Sequence, residues 1–219
     1  MAAGRKRPFV VSVEGNIGSG KSTMLRYFEG MKDKDVYVMA EPVAEWQNLE
    51  GINLLQKLYE DSKRWSMQFQ AYVQLTRLRL LKNPINKKVK LLERSIQNNR
   101  YCFLELAKRE GSLGAHELAV LKSWYDWLDT SMGLELDLIV YLRTSPDVSF
   151  ERMLARGRSE ENGVPKDFIH SLHSVYEDWL INKTLGPLDV PVLVINADLS
   201  KEEMMKTYEN NKSKILGLC

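Results

Sequence analysis

Cysteine is almost missing from this chain. The two thiols, Cys102 and Cys219, cannot build a disulfide framework, and no CxxC pair is present. Histidine is nearly as scarce: His116, His170 and His173 show no zinc-type spacing with cysteine. No apolar run approaches the roughly 18 residues of a membrane span, and nothing ahead of Phe9 reads as a secretory leader. An excess of one charge is lacking too. Thirty-one basic residues face 29 acidic ones, a net +2, whereas a binder of nucleic acid polymers shows a basic stripe. The only basic run near a terminus is Arg5-Lys6-Arg7, read with residues 1–8 as a solvated, frayed tail. These absences favour a reducing compartment: the cytoplasm, or the mitochondrion if a leader has been removed.

What remains is ordinary globular composition, 44% hydrophobic and 27% charged, ample for one substantial core. Five apolar runs stand out: "FVVSVEG" (9–15), "VYVMAEP" (36–42), "VKLLERS" (89–95), "LDLIVYLR" (136–143) and "VPVLVINAD" (190–198). Their β-branched, two-faced hydrophobicity suits strands buried in a parallel sheet. Helix-like segments separate them, among them 62–81, which carries Trp65, Phe69, Tyr72, Val73, Leu78 and Leu81 at helical spacing. The alternation predicts a single α/β domain over 1–219, a doubly wound, five-stranded parallel sheet with helices on both faces. In such sheets ligands collect at the carboxyl ends of the strands.

The first strand runs into "EGNIGSGKST", which fits GxxxxGK[ST] and opens a helix. Glycines there let backbone N–H groups turn inward, and the helix N-terminus adds positive potential. Gly15, Asn16, Ile17, Gly18, Ser19, Gly20, Lys21, Ser22 and Thr23 are therefore the candidate triphosphate cradle. Lys21 should reach the terminal phosphates, and the Ser22 hydroxyl should ligate magnesium.

The next two strands end in carboxylates. Glu41-Pro42 closes the second and Glu93-Arg94-Ser95 the third. A charge there needs a partner or a task. Glu41 beside the phosphate loop is placed to accept a proton from an incoming hydroxyl, with a structural ion pair as the alternative. Glu93 suits a magnesium shell, and Arg94 either clamps the acceptor or pairs with Glu41.

"EGNIGSGKST", "EPVAEW", "MQFQAYVQLTRL", "ERSIQNNRYCFLE", "DLIVYLRTSP" and "RGRSEENGVP", in this order, resemble the deoxyribonucleoside kinase family over roughly residues 9–200. The resemblance implies a P-loop kinase fold with an arginine-rich lid and an ATP- and magnesium-dependent 5′-kinase working as a homodimer. It implies Glu41 as general base, with Arg94 positioning both the 5′-hydroxyl and the base and Glu93 near magnesium. Tyr59 and Glu161 would hold the sugar 3′-hydroxyl, Gln70 would read the nucleobase edge, and Trp46 and Phe103 would wall the pocket. The lid would be the segment with Arg152, Arg156 and Arg158, cations that otherwise read as a solvated face. Tyr72, Trp124, Trp127 and Trp179 read as core or interface.

Arg77 and Asn99 carry the expectation about the base. Gln70, Val73 and Arg77 share a helix face, and Asn99 lies four residues before Phe103. In the family's thymidine-accepting members the position of Arg77 is apolar and that of Asn99 small, while deoxycytidine and deoxyguanosine enzymes carry arginine and aspartate. A guanidinium there would occupy the space of a thymine methyl, and asparagine pairs well with adenine. The expectation is a kinase favouring deoxyadenosine, or other purine or cytosine deoxynucleosides, over thymidine. The competing readings are a broad or thymidine-preferring kinase, a nucleoside monophosphate kinase and a non-catalytic nucleotide-binding switch. The C-terminal helical segment, 201–216, shows no readable chemistry.

Overall fold

The computed structural model describes residues 7–31, 35–186 and 188–218. Strands β1 (Phe9–Glu14), β2 (Val36–Met39), β3 (Val89–Glu93), β4 (Leu138–Arg143) and β5 (Val192–Asn196) form one parallel sheet in the order β2-β3-β1-β4-β5. Between them run α1 (Lys21–Gly30), α2 (Val43–Gln47), α3 (Leu54–Glu60), α4 (Ser62–Leu81), α5 (Ile96–Asn98), α6 (Leu104–Arg109) and α7 (Ala115–Ser131). Three more follow β4: α8 (Pro146–Arg156), α9 (Lys166–Tyr176) and α10 (Lys201–Ile215).

Alternation along each strand divides the core. Val11 and Val13 of β1, Leu91 of β3 and Val140 of β4 pack on Met24, Leu25 and Phe28 of α1 and on Met204, Tyr208 and Ile215 of α10. Their neighbours Leu92, Ile139 and Tyr141 face the other side, against Leu106, Ile169, Leu172, Tyr176 and Trp179. Both faces are thus covered, as a parallel sheet requires. Cys102 lies in this second layer, where burial pushes its thiol above the usual range. Trp124 and Trp127 of α7 are half exposed or more.

Local chemistry sets the element ends. Asp61 caps α4 by accepting from the Arg64 N–H at 3.2 Å, and Ser200 and Glu203 close a capping box on α10. The helix read over 62–81 is α4, end for end. The strand read over 36–42 stops at Met39, its last pairing partner on β3 being Leu92. Glu41 therefore stands in the loop beyond the strand, where Pro42 has no N–H to extend a ladder. Of the predicted tail, Arg7 forks onto the Asp137 carboxylate at 2.7 and 2.9 Å. Arg5, Lys6 and Cys219 lie outside the described residues.

The chain leaves β1 for β2, returns to β3 beside β1, then crosses to β4 on the other side. The winding reverses at β1, so the crevice opens at its carboxyl end.

Candidate active site

The phosphate loop fills that crevice. Gly15, Gly18 and Gly20 take φ of 146°, 80° and 92°, the region that favours glycine. A Cβ on Gly18 would stand 2.3 Å from the Ser149 carbonyl oxygen of α8. Asn16 ties the loop to α9 by donating to the Ile169 carbonyl at 2.9 Å. The Lys21 ammonium, itself buried, donates to the Gly15 and Asn16 carbonyls at 3.0 and 2.6 Å. Burial, helped by the Arg94 charge, brings its pKa down to about 7. Ser22 Oγ donates to Glu93 Oε1 at 2.7 Å.

Glu41 is held by two guanidinium groups. Arg94 Nη1 donates to its Oε2 at 2.7 Å, and Arg77 Nη2 donates to its Oε1. Burial alone would push the carboxyl up, but Arg94, then Arg77 and Lys21, outweigh it and hold the group at about 2. The ion pair therefore contributes full stability above 4.5, lost as pH falls through about 2. Arg94 also donates to the Tyr176 hydroxyl at 3.1 Å and the Gly15 carbonyl at 3.3 Å. Its guanidinium lies 5.1 Å from the Phe103 ring centroid, and its backbone has φ 58°, strain of the kind that clusters at functional sites. Beneath it the buried Glu14 accepts from Ser12 Oγ, Ser95 N and Ser95 Oγ at 2.5–2.9 Å. This joins the ends of β1 and β3.

Helix α8 delivers the arginines. Arg152 donates to the carbonyls of Ala197 and Leu199 at 2.6 and 3.1 Å. Gly157 turns the chain at φ 68°, and Arg156 and Arg158 both reach the Glu161 carboxylate, at 2.6–2.9 Å. The adjacent Glu160 accepts from Gln47 and Asn53 at 2.9 and 2.7 Å, fastening this turn to α2 and the start of α3. Tyr59 stands near Glu161; burial first, then that carboxylate, pushes its phenol above the usual range.

One cavity of about 1450 Å³ joins these groups, larger than a single small-molecule pocket of about 300–1,000 Å³. It is lined by the loop from Ile17 to Thr23, Glu93, Arg152, Arg156 and Arg158. Glu41, Tyr59, Gln70, Arg94, Phe103 and Glu161 line it as well.

Three predicted acceptor residues stand behind the wall instead. Trp46 is screened by Phe69, which meets it edge-on at 5.7 Å and lines the cavity itself; the Trp46 indole N–H donates to Thr76 Oγ1 at 2.9 Å. Arg77, buried, turns to Glu41 and the Ser95 carbonyl because a guanidinium removed from water needs acceptors. Asn99 pairs with Gln70 and Gln74. Gly15 and Asn16 are also off the wall and act through their carbonyls.

Sequence reasoning missed others. Tyr176 holds Arg94, but no local motif marks a tyrosine lying 82 residues away from its partner. Helix α10 supplies Lys201, Met204 and Tyr208 to the cavity wall, although Met204 and Tyr208 also pack in the core. Among the described residues no helix is long and apolar enough to cross a membrane.

Comparison with known proteins agrees with this fold. The family model described as deoxynucleoside kinase matches residues 11–218. The chain is 42% identical over 212 residues to human mitochondrial thymidine kinase 2, covering 97% of this chain and 79% of that one. It is 34% identical to chicken deoxycytidine kinase 2, covering 93% and 88%, and 32% identical to human deoxycytidine kinase, covering 94% and 88%. A five-stranded parallel sheet, a phosphate loop on β1 and a match spanning nearly the whole chain lead to one conclusion: the chain belongs to the deoxynucleoside kinase family.

Proposed function

We propose that this kinase transfers the γ-phosphoryl group of ATP to the 5′-hydroxyl of a deoxynucleoside seated between Glu41 and the phosphate loop. One observation carries the reading: Arg94 grips the Glu41 carboxylate and the Gly15 carbonyl of the loop at once. A hydroxyl accepted by Glu41 is thereby aimed at whatever the loop holds. A carboxyl held near 2 is a reluctant base. Its task is first to orient the hydroxyl, the proton following as the loose phosphoryl transition state collapses. In this reading Tyr59 and Glu161 hold the sugar, Gln70 and Phe103 the base, and Lys21 and the lid arginines the phosphate charge. Ser22 and Glu93 offer the hard oxygens magnesium favours; the bound ion would neutralise triphosphate charge.

The preference for deoxyadenosine over thymidine loses its steric ground. Arg77 is committed to Glu41 and Asn99 to two glutamines, so a thymine methyl meets neither. This supports a broad acceptor range. The test offers thymidine, deoxycytidine, deoxyadenosine, deoxyguanosine and dAMP with ATP, with and without magnesium. Turnover of deoxynucleosides but not dAMP, abolished by chelation, is expected; turnover of dAMP alone, or of nothing, would sink the reading. An acceptor already phosphorylated would need cations where Glu41 stands.

The exposed side of α7, with Val120, Trp124 and Trp127, suits a second copy of this chain. Sedimentation should return twice 25.3 kDa, and a single-chain mass would remove the dimer. The human relative is a mitochondrial kinase, which supports the mitochondrion alongside the cytoplasm as the place of action.

A further inference from the structure

We propose that Asn99, supported by Gln74, lets the hydrogen-bonding polarity of the Gln70 amide reverse, and so decides which nucleobase edges the pocket takes. The inference rests on the reading of Gln70 as the group that faces the base. Gln70 and Gln74 lie one turn apart on α4, and Asn99 opens the π-helical turn Asn99–Phe103 opposite them. All three amides are buried, at 5%, 1% and 0% exposure, and only Gln70 lines the cavity. Gln74 Nε2 donates to Asn99 Oδ1, and Asn99 Nδ2 donates to Gln70 Oε1 at 2.5 Å. Among the described residues neither Gln70 Nε2 nor Gln74 Oε1 has a further side-chain partner.

A carboxamide and its half-turn rotamer fill the same space with donor and acceptor exchanged. Turning all three remakes both bonds in the opposite sense, and among the described residues no ion or backbone group at the Gln74 end holds one sense against the other. Gln70 then meets the cavity with nitrogen and oxygen in either order. Cytosine and adenine present an amino donor beside a ring acceptor; thymine and guanine present a carbonyl beside a ring N–H. The relay serves both classes because every member is neutral and two-sided. An acceptor-only side chain at 99 would force Gln70 to turn its nitrogen inward, fixing a single order.

The experiment compares kcat/KM for thymidine and deoxycytidine in the wild type, Asn99→Asp, Gln74→Leu and Gln70→Leu. Asn99→Asp should move the ratio of the two by about tenfold or more, as expected when a buried hydrogen-bond pattern mismatches its substrate. Gln74→Leu should weaken both substrates together and leave the ratio within about threefold, since Asn99 still turns freely. An unmoved ratio in Asn99→Asp overturns the relay. Should that variant lose all turnover, the wild type decides: the side-chain amide resonances of Gln74, off the cavity wall, should differ between the thymidine and deoxycytidine complexes. Identical resonances overturn the proposal. An unchanged KM in Gln70→Leu, or a wild type that phosphorylates no deoxynucleoside, indicts the acceptor-site reading instead.

Discussion

Glu41→Gln should lower kcat by about 10²–10⁴, the span expected when a positioned proton acceptor is removed, with little change in triphosphate binding. The amide keeps an oxygen for one guanidinium, so the pocket retains its shape. It loses the charge that orients a hydroxyl and takes its proton. Two buried arginines, Arg77 and Arg94, are also left facing a neutral group. Removing one partner of a buried ion pair costs about 3–5 kcal/mol, so the midpoint of thermal unfolding should fall as well. Kinetics must therefore be read at a temperature where circular dichroism shows the variant folded. A wild-type rate in that folded variant would remove Glu41 from the mechanism.

Gly18→Ala should destabilise the phosphate loop strongly. The left-handed backbone at φ 80° and the approach to the Ser149 carbonyl together cost on the order of 3 kcal/mol. That corresponds to a fall of about 6–12 °C in Tm for a chain of this size. Gly20→Ala separates the two causes: its φ is 92°, yet nothing lies within 4 Å of the added carbon. It should lose only the backbone part, about 1–2 kcal/mol. Equal losses in calorimetry would show that contact with α8 is not what makes Gly18 necessary. Donor KM should rise in Gly18→Ala, because relieving the clash moves the loop from its N–H-inward shape.

The layers of this fold were readable because its rules are local. Two-faced β-branched runs gave the strands, and an apolar stripe ended by Asp61 and Lys82 gave α4. The phosphate loop was readable because glycine spacing and lysine serve one purpose. Side-chain destinations were harder. Spacing puts Arg77 on the face of Gln70, but a four-bond side chain reaches several acceptors, and the choice of Glu41 depends on how α4 crosses the end of β2. Trp46 was misplaced for a related reason: its indole N–H sought Thr76, and Phe69 took the wall. The deoxyadenosine expectation rested on the directions of Arg77 and Asn99, and both side chains turn elsewhere. Tyr176 and α10 reach the site only through tertiary packing, which no local pattern records.

The many attachments of Arg94 bear on how the two substrates meet. One guanidinium touches the loop carbonyl, the carboxylate and, through Tyr176, the amide of Asn98. A ligand that displaced it on one flank would loosen its hold on the other. In the proposed reaction, nucleoside and triphosphate would then each raise or lower the other's affinity, through a single side chain shared by their two halves of the site.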